Sequence, residues 1–391
     1  MADFCIISEF NPMHNGHKYI VEKARELGAD SVSVVMSGNA TQRGELAIAD
    51  KYARAKAAVK SGVDLALELP YPWCAASADY FAVAGVYIAS QVADTLLFGS
   101  ECGDIELLEK AAEHCETEAF ASSFENKKKT MGAAKAYVEA LEEVGFGTLC
   151  SNDLLGVAYI RAVRRLGLNL KCCTVKRTGT AYSDTEVRDG ELPSATAIRQ
   201  LLADEKLDDI SDLVPPATFE MLFEARENGK CIDPDKLLDY ALCFFRLSDS
   251  ENFEEIAEAG AGLANRICSV ANESCDGAEF FESVRTKRYT DARVRRAMLF
   301  GMTGVKSKSL DDLPQYTTLL GANDKGRELL SKKRRAGGVS IVTKPADAPK
   351  ETVQYCANEK LDALYGLVLR RKTTVGEMVR KKAYIEISEK T

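Results

Sequence analysis

Two of only three histidines in a 391-residue chain fall in one short run, Glu9-Phe10-Asn11-Pro12-Met13-His14-Asn15-Gly16-His17. Their spacing, His-x-Gly-His, puts two imidazoles on one turn of backbone. Imidazole N–H groups can donate to phosphate oxygens as negative charge builds on them. Gly16 lets a base or ribose lie close against the chain. A second constellation is Pro193-Ser194-Ala195-Thr196-Ala197-Ile198-Arg199. Ser194 or Thr196 is placed to cap a helix, and Arg199 carries a fixed charge in its first turns. Gly99 (in Leu97–Glu101), Asn152 (in Ser151–Gly156) and Arg177 are further candidates to line a nucleoside or meet phosphates. The polar run Met36–Glu45 is a candidate cover for the same site.

These residues need a scaffold, and the pattern around them supplies one. Phe4–Ile7 reads as a strand, and Ile20, Val21, Ala24 and Leu27 follow at helical spacing. A strand, a tight turn and a helix present unpaired amides and a partial positive charge to an anion. Further strand-like runs lie at Ser31–Met36, Asp64–Leu69, Asp94–Phe98 and Leu170–Val175, with helical patterns between them. Such alternation predicts an α/β fold with a Rossmann-like parallel sheet. Its ligands sit beyond the carboxyl ends of the strands, where His14 and His17 fall. After Pro215-Pro216 strand-like runs become scarce. A nucleotidyltransferase-like unit over residues 1–215 and a mainly helical unit over 216–391 are expected, with a short strand at Val339–Val342.

Composition narrows the class. Hydrophobic residues make up 46% and charged residues 28%, as in an ordinary soluble protein. No apolar run is long enough to span a bilayer and no leader is read at the N-terminus, so a cytoplasmic protein without a membrane partner is expected. The twelve cysteines include no C-x-x-C and point to free thiols, and no metal-ligand spacing stands out. The net charge of −8 conceals an asymmetry: residues 283–382 hold 23 Lys and Arg against 10 Asp and Glu. Arg285, Lys287, Arg288, Arg293 and Arg296 crowd together with Tyr289. They form a candidate phosphate-binding patch with a ring to stack on an unpaired base. Lys306-Ser307-Lys308-Ser309 faintly resembles a synthetase loop and is read as a chance match.

The His-x-Gly-His turn and the Ser/Thr–Arg helix start resemble the paired elements of nucleotidylyl transferases. The resemblance sharpens with Ser61–Asp64 through Glu68-Leu69-Pro70, Phe98–Glu101, Thr286–Thr290, Leu319-Leu320-Gly321 and Gly326-Arg327. In that order these segments look like the bacterial tRNA(Met) cytidine acetate ligases. Met13 stands where the family usually has Phe. Ser151-Asn152-Asp153 stands where it has Pro-Asn-Asn, which matches Asn152 and leaves Asp153 without a family role. The resemblance implies an ATP-dependent enzyme with no tightly bound cofactor, taking ATP as its Mg²⁺ complex. Acetate would be activated as acetyl-adenylate and passed to N4 of the wobble cytidine of elongator tRNA(Met). It assigns catalysis to His14, His17 and Arg199. ATP contacts fall to Ile7, Ser8, Glu9, Phe10, Asn11, Pro12, Met13, Asn15, Gly16, Lys18, Tyr19, Ile20, Gly99, Asn152, Arg177, Ser194 and Thr196. Two other readings share the motifs: a small-metabolite adenylyltransferase, and a non-catalytic RNA-binding protein with a regulatory nucleotide site.

Overall fold

A computed structural model describes residues 2–147, 149–177, 194–260, 262–334 and 338–387. Pro193 and Arg335 lie outside the described residues. The chain opens with β1 (Asp3–Ser8), α1 (Asn15–Glu26), β2 (Ser31–Ser37), α2 (Lys51–Lys60) and β3 (Leu65–Leu69). It continues through α3 (Ala78–Ala89), β4 (Thr95–Ser100), α4 (Ile105–His114), α5 (Glu118–Lys128), α6 (Ala133–Glu142), α7 (Ser151–Arg165) and β5 (Lys171–Lys176). These five strands are parallel neighbours in the order β5-β4-β1-β2-β3. That is a doubly wound sheet, and its order reverses between β1 and β4.

Side-chain alternation along β1 explains why helices cover both faces. Phe4 and Ile6 enter one core with Ile20, Val21 and Ala24 of α1. Cys5 and Ile7 enter the other with Phe81 and Ala82 of α3 and Val157 and Ile160 of α7. Strands buried on both faces read as continuous apolar runs, as β2 does with every residue buried.

Helices then dominate: α8 (Ala195–Ala203), α9 (Pro216–Glu227), α10 (Pro234–Arg246), α11 (Leu263–Glu273), α12 (Gly277–Val284), α13 (Asp291–Thr303) and α14 (Lys308–Asp311). Between α10 and α11 the chain makes only a short 3-10 turn at Ser250–Phe253. The expected helical unit does not run to the C-terminus as a separate layer. The chain returns to the first sheet at β6 (Tyr316–Ala322), which pairs antiparallel with β3. After α15 (Asp324–Arg334), β7 (Ser340–Val342) pairs β6. After α16 (Val353–Val368) and α17 (Val375–Val379), β8 (Tyr384–Ile385) pairs β6 too. The cause is local. Tyr316-Thr317-Thr318-Leu319-Leu320 is β-branched and apolar, it is fully buried, and β3 offers an open edge. Thr317 Oγ1 also donates to the Glu68 carbonyl at 2.7 Å.

Candidate functional site: the histidine turn

The turn after β1 is held from several directions. Phe10 takes a left-handed backbone at φ +44°. That costs about 1–3 kcal/mol, and burial of the ring sustains it. The Asn11–Pro12 peptide is cis. Asn11 Oδ1 accepts from the Ile48 amide at 2.8 Å. Asn15 reaches across to the Leu213 and Asp212 carbonyls. Glu9 accepts from the Gln42 amide at 2.8 Å, and burial raises its carboxyl above the usual range.

His14 is the N-cap of α1. Its Nδ1 accepts from the Gly16 amide at 3.1 Å, and the His14 amide donates to His17 Nδ1 at 3.2 Å. The two imidazoles thus form a reciprocal capping box in the places usually taken by Ser and Glu. Their ring centroids lie 3.8 Å apart, and Phe10 packs edge-on to His17 at 4.9 Å. Burial, with Arg177 and Arg199 nearby, pushes His14 down to about 3. Burial, His14 and Arg177 push His17 well below the usual range. Both rings are therefore neutral near pH 7. With each Nδ1 accepting, the proton of each sits on Nε2. Neither Nε2 has a partner among the described residues. The turn presents two neutral N–H donors at a helix N-terminus, an arrangement suited to an anion.

Arg199 and Arg177 bring positive charge to this place. Arg199, on α8, donates to the Asn11 carbonyl at 2.9 Å and to Thr196 Oγ1 at 3.4 Å. Ser194 caps α8 by accepting from the Ala197 amide at 3.0 Å. Arg177 follows β5, and its side chain runs over Gly99. A Cβ on Gly99 would stand 3.0 Å from Arg177 Cγ and 3.2 Å from Ile20 Cδ1. The fold thus gathers His14, His17, Gly99, Arg177, Ser194, Thr196 and Arg199 at the switch between β1 and β4.

The other residues expected on ATP differ in what they present to the site. The side chains of Ile7, Phe10, Met13 and Ile20 are in the cores, and Pro12 is buried, so only backbone could face a ligand there. Ser8 ends β1. Lys18 faces Glu22 at 3.7 Å, and Tyr19 lies under the Lys23 ammonium. Asn152 Nδ2 donates to Glu101 at 2.6 Å. Asp153 is structural, accepting from the Cys102 and Cys150 amides at 3.0 and 2.8 Å.

The basic patch divides in two. Arg285, Lys287 and Arg288 are exposed. Arg285 already pairs with Glu282 and Asp291. Tyr289, expected to stack on a base, has its ring buried and flanked by Arg288 and Arg293, so it serves the core. Arg293 and Arg296, expected on phosphates, instead close the fold. Arg293 donates to the Glu258 and Gly260 carbonyls. Arg296 is buried and bonds the Glu258 carboxylate at 3.2 Å and the Gln42 carbonyl at 3.2 Å. Sequence carries no sign of this, because Glu258 and Gln42 are far away in the chain. Lys306 pairs with Glu255, consistent with a chance match.

The sequence did not single out Arg54. It is fully buried in α2 and donates to the Ala49, Glu9 and Ser37 carbonyls at 2.8, 2.7 and 3.0 Å, and to the Gly38 carbonyl. In sequence it resembles an ordinary helix-surface partner of Asp50, four residues before it. The Met36–Glu45 loop that it anchors also meets α13: a Cβ on Gly44, at φ +74°, would lie 2.5 Å from the Arg296 amide. All twelve cysteines are free thiols. Among the described residues no three His, Cys, Asp or Glu cluster as metal ligands, and no helix is long and apolar enough to cross a membrane.

Known proteins resemble this chain in sequence and in fold. The family of HIGH nucleotidyl transferases matches residues 1–378. A tRNA(Met) cytidine acetate ligase of Thermotoga maritima is 37% identical over 86% of this chain and 85% of its own. The ligase of the same name from Acetivibrio thermocellus is 35% identical over 88% of each chain. A crystal structure of Thermotoga maritima TmcAL bound with alpha-thio ATP superposes with a TM-score of 0.89 at 31% identity, covering 99% of this chain and 100% of that one.

Proposed function

Since the chain belongs to the HIGH nucleotidyl transferases, among the tRNA(Met) cytidine acetate ligases, we propose that it activates acetate with ATP and acetylates the wobble cytidine of elongator tRNA(Met). One observation carries the site assignment: two neutral imidazoles whose Nε2–H groups are left for a ligand at the N-terminus of α1. ATP arrives as its magnesium complex. An acetate oxygen attacks the α-phosphorus, the bond to the β-phosphate oxygen breaks, and pyrophosphate leaves with the electron pair. Negative charge grows on the α-phosphate oxygens, and His14 and His17 donate to them.

Arg199 and Arg177 neutralise the phosphates, with Ser194 and Thr196 at the start of α8 beside the leaving group. Gly99 keeps the β4 edge low for the nucleoside. In the second step the cytosine N4 attacks the acetyl carbonyl carbon. The bond to the AMP phosphate breaks, AMP leaves with its electrons, and the amine releases a proton to solvent. The exposed Arg285, Lys287 and Arg288 hold the RNA backbone outside.

Labelled acetate, ATP and total tRNA test the whole reading, and the expected product is N4-acetylcytidine. Acetate-dependent ATP–pyrophosphate exchange isolates the first step. His17→Ala is expected to slow that exchange by about 10²–10³, the usual effect of losing one such donor. Exchange near the wild-type rate in His17→Ala would refute the assignment.

A further inference from the structure

A cavity of about 640 Å³ opens beside the histidine turn. Arg199 lines it, and the same guanidinium reaches the Asn11 carbonyl of the turn. Leu238, Met298 and Met302 give it an apolar lining. Among its charged lining residues, which include Glu205, Asp233 and Asp235, Glu45 stands between two guanidinium groups: Arg199 at 3.5 Å and Arg295 at 3.4 Å. Both contacts are long, so the Glu45 carboxylate keeps lone pairs for a ligand. Arg370 lies at the rim, exposed, with no side-chain partner among the described residues.

This edge sets a carboxylate next to a guanidinium above an apolar pocket. Cytosine shows the complementary edge, an N4 amine that donates beside N3 and O2 that accept. Uracil shows an oxygen where cytosine has the amine, and that oxygen would face the Glu45 carboxylate. An unpaired base taken out of its stack needs such an enclosed, partly apolar seat.

We propose that this cavity seats the target cytosine. Glu45 accepts from its N4 amine, Arg295 donates to N3 and O2, and Arg370 meets a flanking phosphate. The proposal rests on the acetyl-transfer reading and adds to it the residues that choose the base. Glu45 then ties the two steps together, because it touches both Arg199 of the phosphate site and Arg295 of the base site.

Two tRNA(Met) transcripts that differ only in cytosine or uracil at the wobble position provide the test. Wild type is expected to bind the cytosine form about tenfold more tightly, within the usual range for one base contact. In Glu45→Gln the preference shrinks to within about twofold, since an amide can turn to suit either base. Met302→Trp fills the cavity and is expected to weaken cytosine-form binding about tenfold while acetate-dependent exchange continues, which also shows that the variant is folded. Equal wild-type binding of the two transcripts overturns the proposal, and so does full discrimination by Glu45→Gln. Both leave the function reading standing if wild type still acetylates tRNA. Absence of acetylation by wild type removes both.

Discussion

At the scale of single residues, what His14 and His17 can offer is set by what their Nδ1 atoms have already accepted. Each ring spends one nitrogen on the backbone and so fixes its proton on the other. A Ser or Glu could cap the helix equally well but would not leave a second donor. Burial keeps the rings uncharged, with a consequence for stability. His14 titrates at about 3 in the native protein against an ordinary 6.5. Below 6.5 the unfolded chain takes up a proton that the native site refuses, so stability is full above that pH and falls as pH drops toward 3. From pH 7.5 to 5.5 this removes roughly 1.4 kcal/mol at His14. Urea unfolding at both values, in wild type and in His14→Asn, should show the variant losing about 1.4 kcal/mol less over that interval. Equal losses would mean that His14 is protonated in the native state.

At the scale of elements, the histidine turn is only as fixed as its neighbours. Arg54 holds the end of β1, the end of β2 and the start of α2 through four carbonyl oxygens. Arg54→Met keeps much of the volume and removes every donor. Each buried carbonyl left without a partner costs about 1–3 kcal/mol. The variant should therefore lose on the order of 3 kcal/mol or more in urea unfolding. Its exchange activity should fall as well, because the carbonyl of Glu9 loses its anchor just before the histidine turn. A variant as stable and active as wild type would show that the turn stands by itself.

At the scale of the whole molecule, the C-terminal part is bolted to the parallel sheet. Lys51 Nζ contacts Glu68 at 2.7 Å and Asp362 of α16 at 3.6 Å, and Asn39 donates to Asp362 at 2.7 Å. Tyr365 donates to the Ala47 carbonyl at 3.0 Å. The basic surface belongs to the same packed chain, so its proposed role is tested through charge. The double variant Lys287→Glu/Arg288→Glu should weaken tRNA binding at least tenfold. It should also lower the salt dependence of that binding by about two units of slope, roughly one for each phosphate no longer neutralised. ATP–pyrophosphate exchange should be unaffected. Equal loss of both activities would place these side chains in the catalytic site instead.

Local order was legible in the chain. The turn after β1, the alternation that builds the parallel sheet and the cap at Ser194 depend on neighbours a few residues apart, and short-range spacing records them. The gathering of His14, Gly99, Arg177 and Arg199 followed, because a doubly wound sheet brings its strand ends together. The partners of Arg54, Tyr289, Arg293 and Arg296, and the return of β6 to β3, were not legible. Each depends on groups brought close only by folding. A cation destined for a buried carbonyl is spelled with the same letter as one facing solvent, and burial, which separates the two, exists only in three dimensions.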